Sequence, residues 1–323
     1  MDRPALGHRP NPPLRRGAGP LGRWSPALTA LLALGAGWTP REALADDPVM
    51  ANDLGTGGAH RANPRSLATL LDAPAMLGVV DRYDLGLSFA LGPEKERALQ
   101  IAALDSRTSR VSAGVSWTRV AAESGLQTED LPGWLVEGET VEEKEVRNRV
   151  GLGVALPLAS RRLGLGLSGW YDHRGTPDGD PNQGGNIAVS AAANLADEHL
   201  LMSVQGVNLL PWRMYYNPLQ VTAGLRLQQP KLASIEANLV APLGDTEEVL
   251  GFQVGGELIA SEVVPLRLGF ERATADGSSR ATTGIGVLGD RGAIDYGARF
   301  LLGEARASEG WSSWHGLSLR LFF

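Results

Sequence analysis

Apolar and polar residues alternate along most of this chain. At its end Leu317, Leu319, Leu321 and Phe323 are separated by Ser318, Arg320 and Phe322. The same period of two runs through 83–91, 111–117, 150–156, 163–167, 219–227, 252–258, 266–270 and 294–300. Weaker stretches of the same kind fit 98–104, 187–195, 200–208, 232–241 and 283–288. A period of two sends successive side chains to opposite faces of a strand, so each segment predicts a strand with one apolar face. With the closing strand the count is about 14, and barrels of the bacterial outer membrane have even strand numbers.

The connections alternate as well. Gaps at 105–108, 159–162, 196–198, 228–230, 260–263 and 289–292 are short. Those at 121–145, 174–185, 211–218, 274–280 and 304–313 are longer, while 92–96 and 242–248 are short exceptions. Short turns on one side and longer loops on the other predict a transmembrane antiparallel up-and-down β-barrel. A strand edge cannot lie unpaired in lipid, so the last strand has to close on the first. Outer-membrane lipid is then the immediate partner of the apolar face.

The start of the chain changes in character. Arg3, Arg9, Arg15, Arg16 and Arg23 precede an apolar run at 27–37, and Ala43-Leu44-Ala45 has small residues at cleavage spacing. This predicts a secretory signal peptide over residues 1–45, a short lead and plug-like segment over 46–75, and a barrel over 76–323. In the lead, Asn63-Pro64 has the form of a helix start. Leu67, Leu70 and Leu71 would share one apolar face of that helix, with Pro74 as its stop and the glycines at 55, 57 and 58 as a flexible approach. The apolar face would either plug the barrel or rest outside it.

Composition narrows the chemistry. The 323 residues include 41 glycines and no cysteine, and the formal charge is −6. Absence of cysteine removes disulfides, thiolate metal sites and a thiol nucleophile. No run of 18 apolar residues indicates a membrane helix. The acidic balance and the lack of a basic patch give no sign of a nucleic-acid partner. No cofactor or metal is expected. Asp178-Gly179-Asp180-Pro181-Asn182 lacks the final bidentate acid of a calcium loop. His60, His173, His199 and His315 form no recognisable catalytic motif, so no enzyme is expected.

The face opposite the apolar one is rich in Gly, Ser and Ala and carries both signs of charge. Arg82, Asp84, Arg226, Glu236, Glu257, Arg267, Glu271, Asp295, Arg299 and Arg320 all fall on it. They either line a polar path or hold the barrel together in pairs. The 121–145 loop carries eight acids against Lys144, interleaved with apolar residues, and is a solvated run or a lid. Trp212, Met214, Tyr215 and Tyr216 fall in the most aromatic loop, which suits an interfacial girdle or a landing site for a hydrophobic ligand.

Two stretches resemble known proteins. Ala62-Asn63-Pro64-Arg65-Ser66-Leu67 is similar to the Asn-Pro segment of the long-chain fatty acid transporter family (FadL) and its relative PorV, with Arg65 in place of a small residue. Leu319, Leu321 and Phe323 resemble the terminal signal read by the barrel-assembly machinery. The resemblance implies an N-terminal segment inside the barrel mouth. It also implies an outer-membrane channel of a Gram-negative bacterium, passing small hydrophobic molecules. A PorV-like barrel would instead dock secreted or surface proteins.

Overall fold

The computed structural model describes residues 50–92, 96–123, 143–175, 182–210, 219–243, 250–272, 278–302 and 313–323. Among the described residues three short helices precede the sheet: α1 (Ala51–Gly55), α2 (Thr69–Asp72) and α3 (Ala75–Gly78). Fourteen strands follow: β1 (Tyr83–Leu91), β2 (Arg97–Asp105), β3 (Ser112–Glu123), β4 (Glu143–Leu158), β5 (Leu163–Gly175), β6 (Asn182–Leu195) and β7 (Leu200–Val207). The second half comprises β8 (Leu219–Gln229), β9 (Ala233–Leu243), β10 (Gly251–Ala260), β11 (Val264–Arg272), β12 (Ser279–Leu288), β13 (Gly292–Leu302) and β14 (Ser313–Phe322). Each pairs antiparallel with its sequence neighbours, and β14 returns to β1 to close the barrel.

Closure follows from the register. Leu85 faces Leu321, Leu87 faces Leu319 and Phe89 faces Leu317, so the apolar face continues across the seam without a step. Beyond the last paired residue, Phe323 N–H donates to the Tyr83 carbonyl at 3.0 Å. The two rings lie 6.0 Å apart on the outside. The even period therefore does two tasks at once: it turns one set of side chains outward everywhere and fixes which residues meet at the seam.

The outward set is a continuous apolar surface. Leu152 is 60 % exposed, Ile235 63 % and Leu268 70 %. Such an area would not be tolerated in water, and it is the lipid-facing wall of a transmembrane barrel. Outward aromatics gather toward the end with the longer connections. There Phe252 stacks on Phe270 at 5.7 Å, and His315 lies 6.1 Å from both Tyr296 and Phe300. The Tyr296 hydroxyl meets His315 Nδ1 at 2.6 Å, and Ser313 Oγ meets Nε2 at 3.0 Å, so the polar tips of this belt are engaged. Trp212, Met214, Tyr215 and Tyr216 lie outside the described residues, as do the leader over 1–45, most of the acidic 121–145 loop and all of the Asp178–Asn182 run but its last residue.

The N-terminal segment departs from its sequence reading in three respects. Asn63-Pro64 does not open a helix: Asn63 Oδ1 accepts the Arg65 N–H at 3.0 Å, closing a turn, and helix resumes only at Thr69. The helix from Thr69 does stop before Pro74, at Asp72, but a further helical turn, α3, follows at once, so strand alternation starts only at Tyr83. The glycines at 55, 57 and 58 are not a loose approach; they are buried in and just after α1. In each case contact with the barrel wall overrides a local preference.

The wall makes a depth-dependent prediction. Leu225 is outward and near the middle of β8, whereas Leu195 is outward at the end of β6. Leu225→Arg should cost about 2–4 kcal/mol and Leu195→Arg about 0–1 kcal/mol, measured by folding titration into lipid. Equal costs would mean that the barrel is not seated as its apolar wall indicates.

Candidate functional site

The candidate site is the lumen and the segment that crosses it. The segment running from Met50 into α1 packs against β11 to β14, and the following turn reaches β10. Residues 58–62 lie by β8 and β10, Leu67 by β1, Leu70 by β3 and β4, and α3 by β4 to β6. Met50, Leu67, Leu70, Met76 and Leu77 are fully buried there. Burial of a side chain of this size contributes about 1.5–3 kcal/mol, so the apolar residues anchor the segment firmly. The three leucines expected to share one face meet in one apolar cluster: Leu67 and Leu70 are fully buried, and Leu71 packs half-buried against them and close to Gly151 of β4.

Inward glycines make room for it. A Cβ placed on Gly297 would lie under 3.0 Å from the Ala51 carbonyl, and one on Gly153 equally close to the Leu70 carbonyl. Gly164 and Gly166 meet the backbone of Ala75 in the same way, and Gly255 and Gly269 that of Thr56. The plug therefore lies main chain against main chain on the wall. Glycine at these positions is required by space, not by turn geometry.

Polar inward residues then bond the plug backbone. Ser190 Oγ accepts the Ala75 N–H at 2.8 Å, and Ser168 donates to the Leu71 carbonyl at 2.7 Å. Ser203 donates to the Arg61 carbonyl at 2.8 Å, Thr282 to that of Gly55 at 3.1 Å, and Asn238 to that of Gly58 at 3.2 Å. Inside the plug, Asp53 accepts from Ser66 at 2.7 Å and Asp72 contacts His60 Nε2 at 2.5 Å. An irregular backbone at membrane depth needs such partners, because neither lipid nor bulk water supplies them.

The charged lumen residues fall into clusters. Toward the short-turn end, Arg226 pairs with Glu236, and Arg267 bridges Glu257 and Asp295, both at 2.7 Å. Arg320 also holds Asp295, at 3.0 Å, and donates to the Arg65 carbonyl of the plug at 3.0 Å. Arg82 lies just before β1, pairs with Asp84 at 3.0 Å and donates to the Ser66 carbonyl. Toward the other end, Glu271 faces Arg280 and Arg299, each at 3.6 Å. Each of the ten lumen candidates thus meets an opposite charge.

A second cluster toward the long-connection end was not singled out in the sequence. Arg147 and Arg149 both grip Asp172, with contacts from 2.8 to 3.1 Å, and the Arg149 guanidinium stands 5.5 Å from the centre of the Trp170 ring. With Arg61 and Leu71 of the plug, Arg149 and Trp170 line a pocket on top of the plug. The signal was present: Arg147 and Arg149 share the face opposite Val150, Leu152 and Val154, and Asp172 lies opposite Arg149 in register.

The fold and site define a class, a transmembrane antiparallel barrel of 14 strands with an N-terminal plug in its lumen. Solved structures show the same fold. The Ralstonia pickettii toluene transporter TbuX is 13 % identical, with 84 % of this chain and 98 % of that one covered and a TM-score of 0.55. A mutant of the monoaromatic hydrocarbon channel TodX is 13 % identical over 84 % and 97 %, with a TM-score of 0.59. A FadL homologue from Pseudomonas aeruginosa is 11 % identical over 85 % and 98 %, with a TM-score of 0.56. The resemblance to FadL barrels drawn from the sequence therefore extends to the architecture. No family model matches the chain, and no curated protein is similar to it.

Two sets of substitutions test the seating of the plug and the pairing. Gly164→Ala pushes a methyl into the Ala75 backbone and should destabilise by about 1–3 kcal/mol. Gly169→Ala, whose nearest neighbour is 3.6 Å away, should stay within about 0.5 kcal/mol. Arg226→Met strands the buried Glu236 carboxyl and should cost about 3–5 kcal/mol, much of it restored by adding Glu236→Met. Lipid-folding titrations measure both; a double variant weaker than the single one would contradict the pairing.

Proposed function

We propose that this protein is a channel of the Gram-negative outer membrane for passive uptake of small, largely hydrophobic molecules. The observation that carries the reading is the plug. An N-terminal segment sealed into the lumen by leucine packing and hydrogen bonds suits a gated, selective conduit and does not suit an open diffusion pore. The shared architecture with toluene and monoaromatic hydrocarbon channels supports the same conclusion. Lipid is the partner of the outer wall, the short turns face the periplasm, and the longer connections face outward. In this reading residues 1–45 direct export and are removed. Leu319, Leu321 and Phe323 present the closing strand to the assembly machinery.

Passage requires the plug to rearrange, and the stretch that tests this is 63–72. It carries Leu67, Leu70 and Leu71 and is helical only over its last four residues, too short a helix to stand alone. Deleting residues 63–72 should leave a barrel that still migrates heat-modifiably and swells liposomes several-fold faster with a small neutral sugar. If intact and deleted forms are equally impermeable, the channel reading fails. A barrel that docks a secreted or surface protein, as in the PorV comparison, then becomes the better account.

A further inference from the structure

The pocket on top of the plug is bordered by hydrogen-bonding groups of both kinds that the protein leaves unmet. Trp170 is 8 % exposed, yet its indole N–H meets no acceptor among the described residues. Nε of Arg61 is buried in the same condition, while Nη1 of that guanidinium donates to Gln253 at 2.9 Å. Asp72 supplies the complement. Its Oδ2 meets His60 at 2.5 Å, its side chain is 29 % exposed, and among the described residues Oδ1 takes no hydrogen bond. All three residues line the pocket, Trp170 from the wall and Arg61 and Asp72 from the plug.

An occupant has to suit these groups together. A bare hydrocarbon would leave two buried donors unmet. A carboxylate could accept from them, but it has no hydrogen for Asp72 and would bring a second negative charge beside it. A hydroxyl meets both needs, because its lone pairs accept and its hydrogen donates. The charges around the space also suit a neutral solute, since Arg61 and Arg149 share the lining with Asp72. Leu71 and Val207 give that lining a small apolar part, which suits the carbon body of such a molecule.

We propose that this pocket binds small neutral solutes through a hydroxyl group, and so biases the channel toward alcohols and phenols over bare hydrocarbons. The inference rests on the channel reading and names its substrate class. A hydroxyl that accepts from Trp170 and donates to Asp72 would join the wall to the plug, so the solute would contact the element that has to move.

Calorimetry on the full chain in detergent, corrected against protein-free micelles, tests this with three probes that share a ring. Phenol can accept and donate, anisole can only accept, and toluene does neither. Phenol should bind about tenfold more tightly than toluene, as two added hydrogen bonds allow, with anisole between them. Trp170→Phe keeps a ring beside the Arg149 guanidinium but removes the N–H, and should weaken phenol about fivefold while leaving toluene unchanged. Heat-modifiable migration confirms that the variant is folded, and the three-probe comparison on the intact protein decides the matter should it not be. Equal affinity for phenol and toluene, or phenol binding unmoved by Trp170→Phe, overturns the proposal and leaves the donors to water. Anisole binding as tightly as phenol also overturns it, because an ether has no hydrogen for Asp72. Liposome swelling separates this from the channel reading. Permeation without a preference for phenol defeats only the substrate class. Absence of permeation defeats the channel even if phenol binds.

Discussion

An irregular stretch of main chain lies inside a membrane-spanning barrel, and each of its peptide groups has to be satisfied there. That constraint organises the rest of the structure. The inward Ser168, Ser190, Ser203, Asn238 and Thr282 are placed to bond plug peptide groups. The inward glycines at 153, 164, 255 and 297 allow the approach that makes those bonds short. Either feature alone would fail: with larger residues the plug could not reach the wall, and with apolar ones its carbonyls would be buried unbonded.

Charge pairing is the second layer. Buried ion pairs add little net stability, because desolvation consumes most of the attraction, but each partner makes the other indispensable. Arg226 with Glu236, and Arg267 and Arg320 with Asp295, therefore fix neighbouring strands and the plug in one arrangement more than they strengthen it. The two ends differ in character. Near the short turns Arg267 and Arg320 hold Asp295 at 2.7 and 3.0 Å, whereas near the longer connections Glu271 stands 3.6 Å from both Arg280 and Arg299.

The wall was legible in the sequence because each strand repeats one physical requirement, apolar toward lipid and small or polar inward. Even the seam could be anticipated from Leu317, Leu319 and Leu321. The plug was legible only in outline. Asn63-Pro64 and the Leu67, Leu70 and Leu71 spacing are local helix signals, but the segment obeys the wall, and a turn at Asn63 with helix from Thr69 is the compromise. The glycine-rich inward set was visible as composition. Its meaning as a cradle required knowing that Ala51, Thr56, Leu70 and Ala75 press against it. The Arg147, Arg149 and Asp172 cluster follows from the alternation and the register, but its arginines adjoin the 121–145 stretch, whose eight acids dominate the local charge pattern.

The N-terminal segment is seated in the lumen, and a cross-link to the wall tests this most directly. A Cβ at Gly316 would lie 3.6 Å from that of Ala51, within the span of a disulfide. The chain has no cysteine of its own, so the pair Ala51→Cys and Gly316→Cys can be read without background. Oxidation of the folded, membrane-embedded double variant should link the two residues nearly completely, with neither single variant reacting. A folded barrel in which both thiols stay free and open to alkylation would contradict the account.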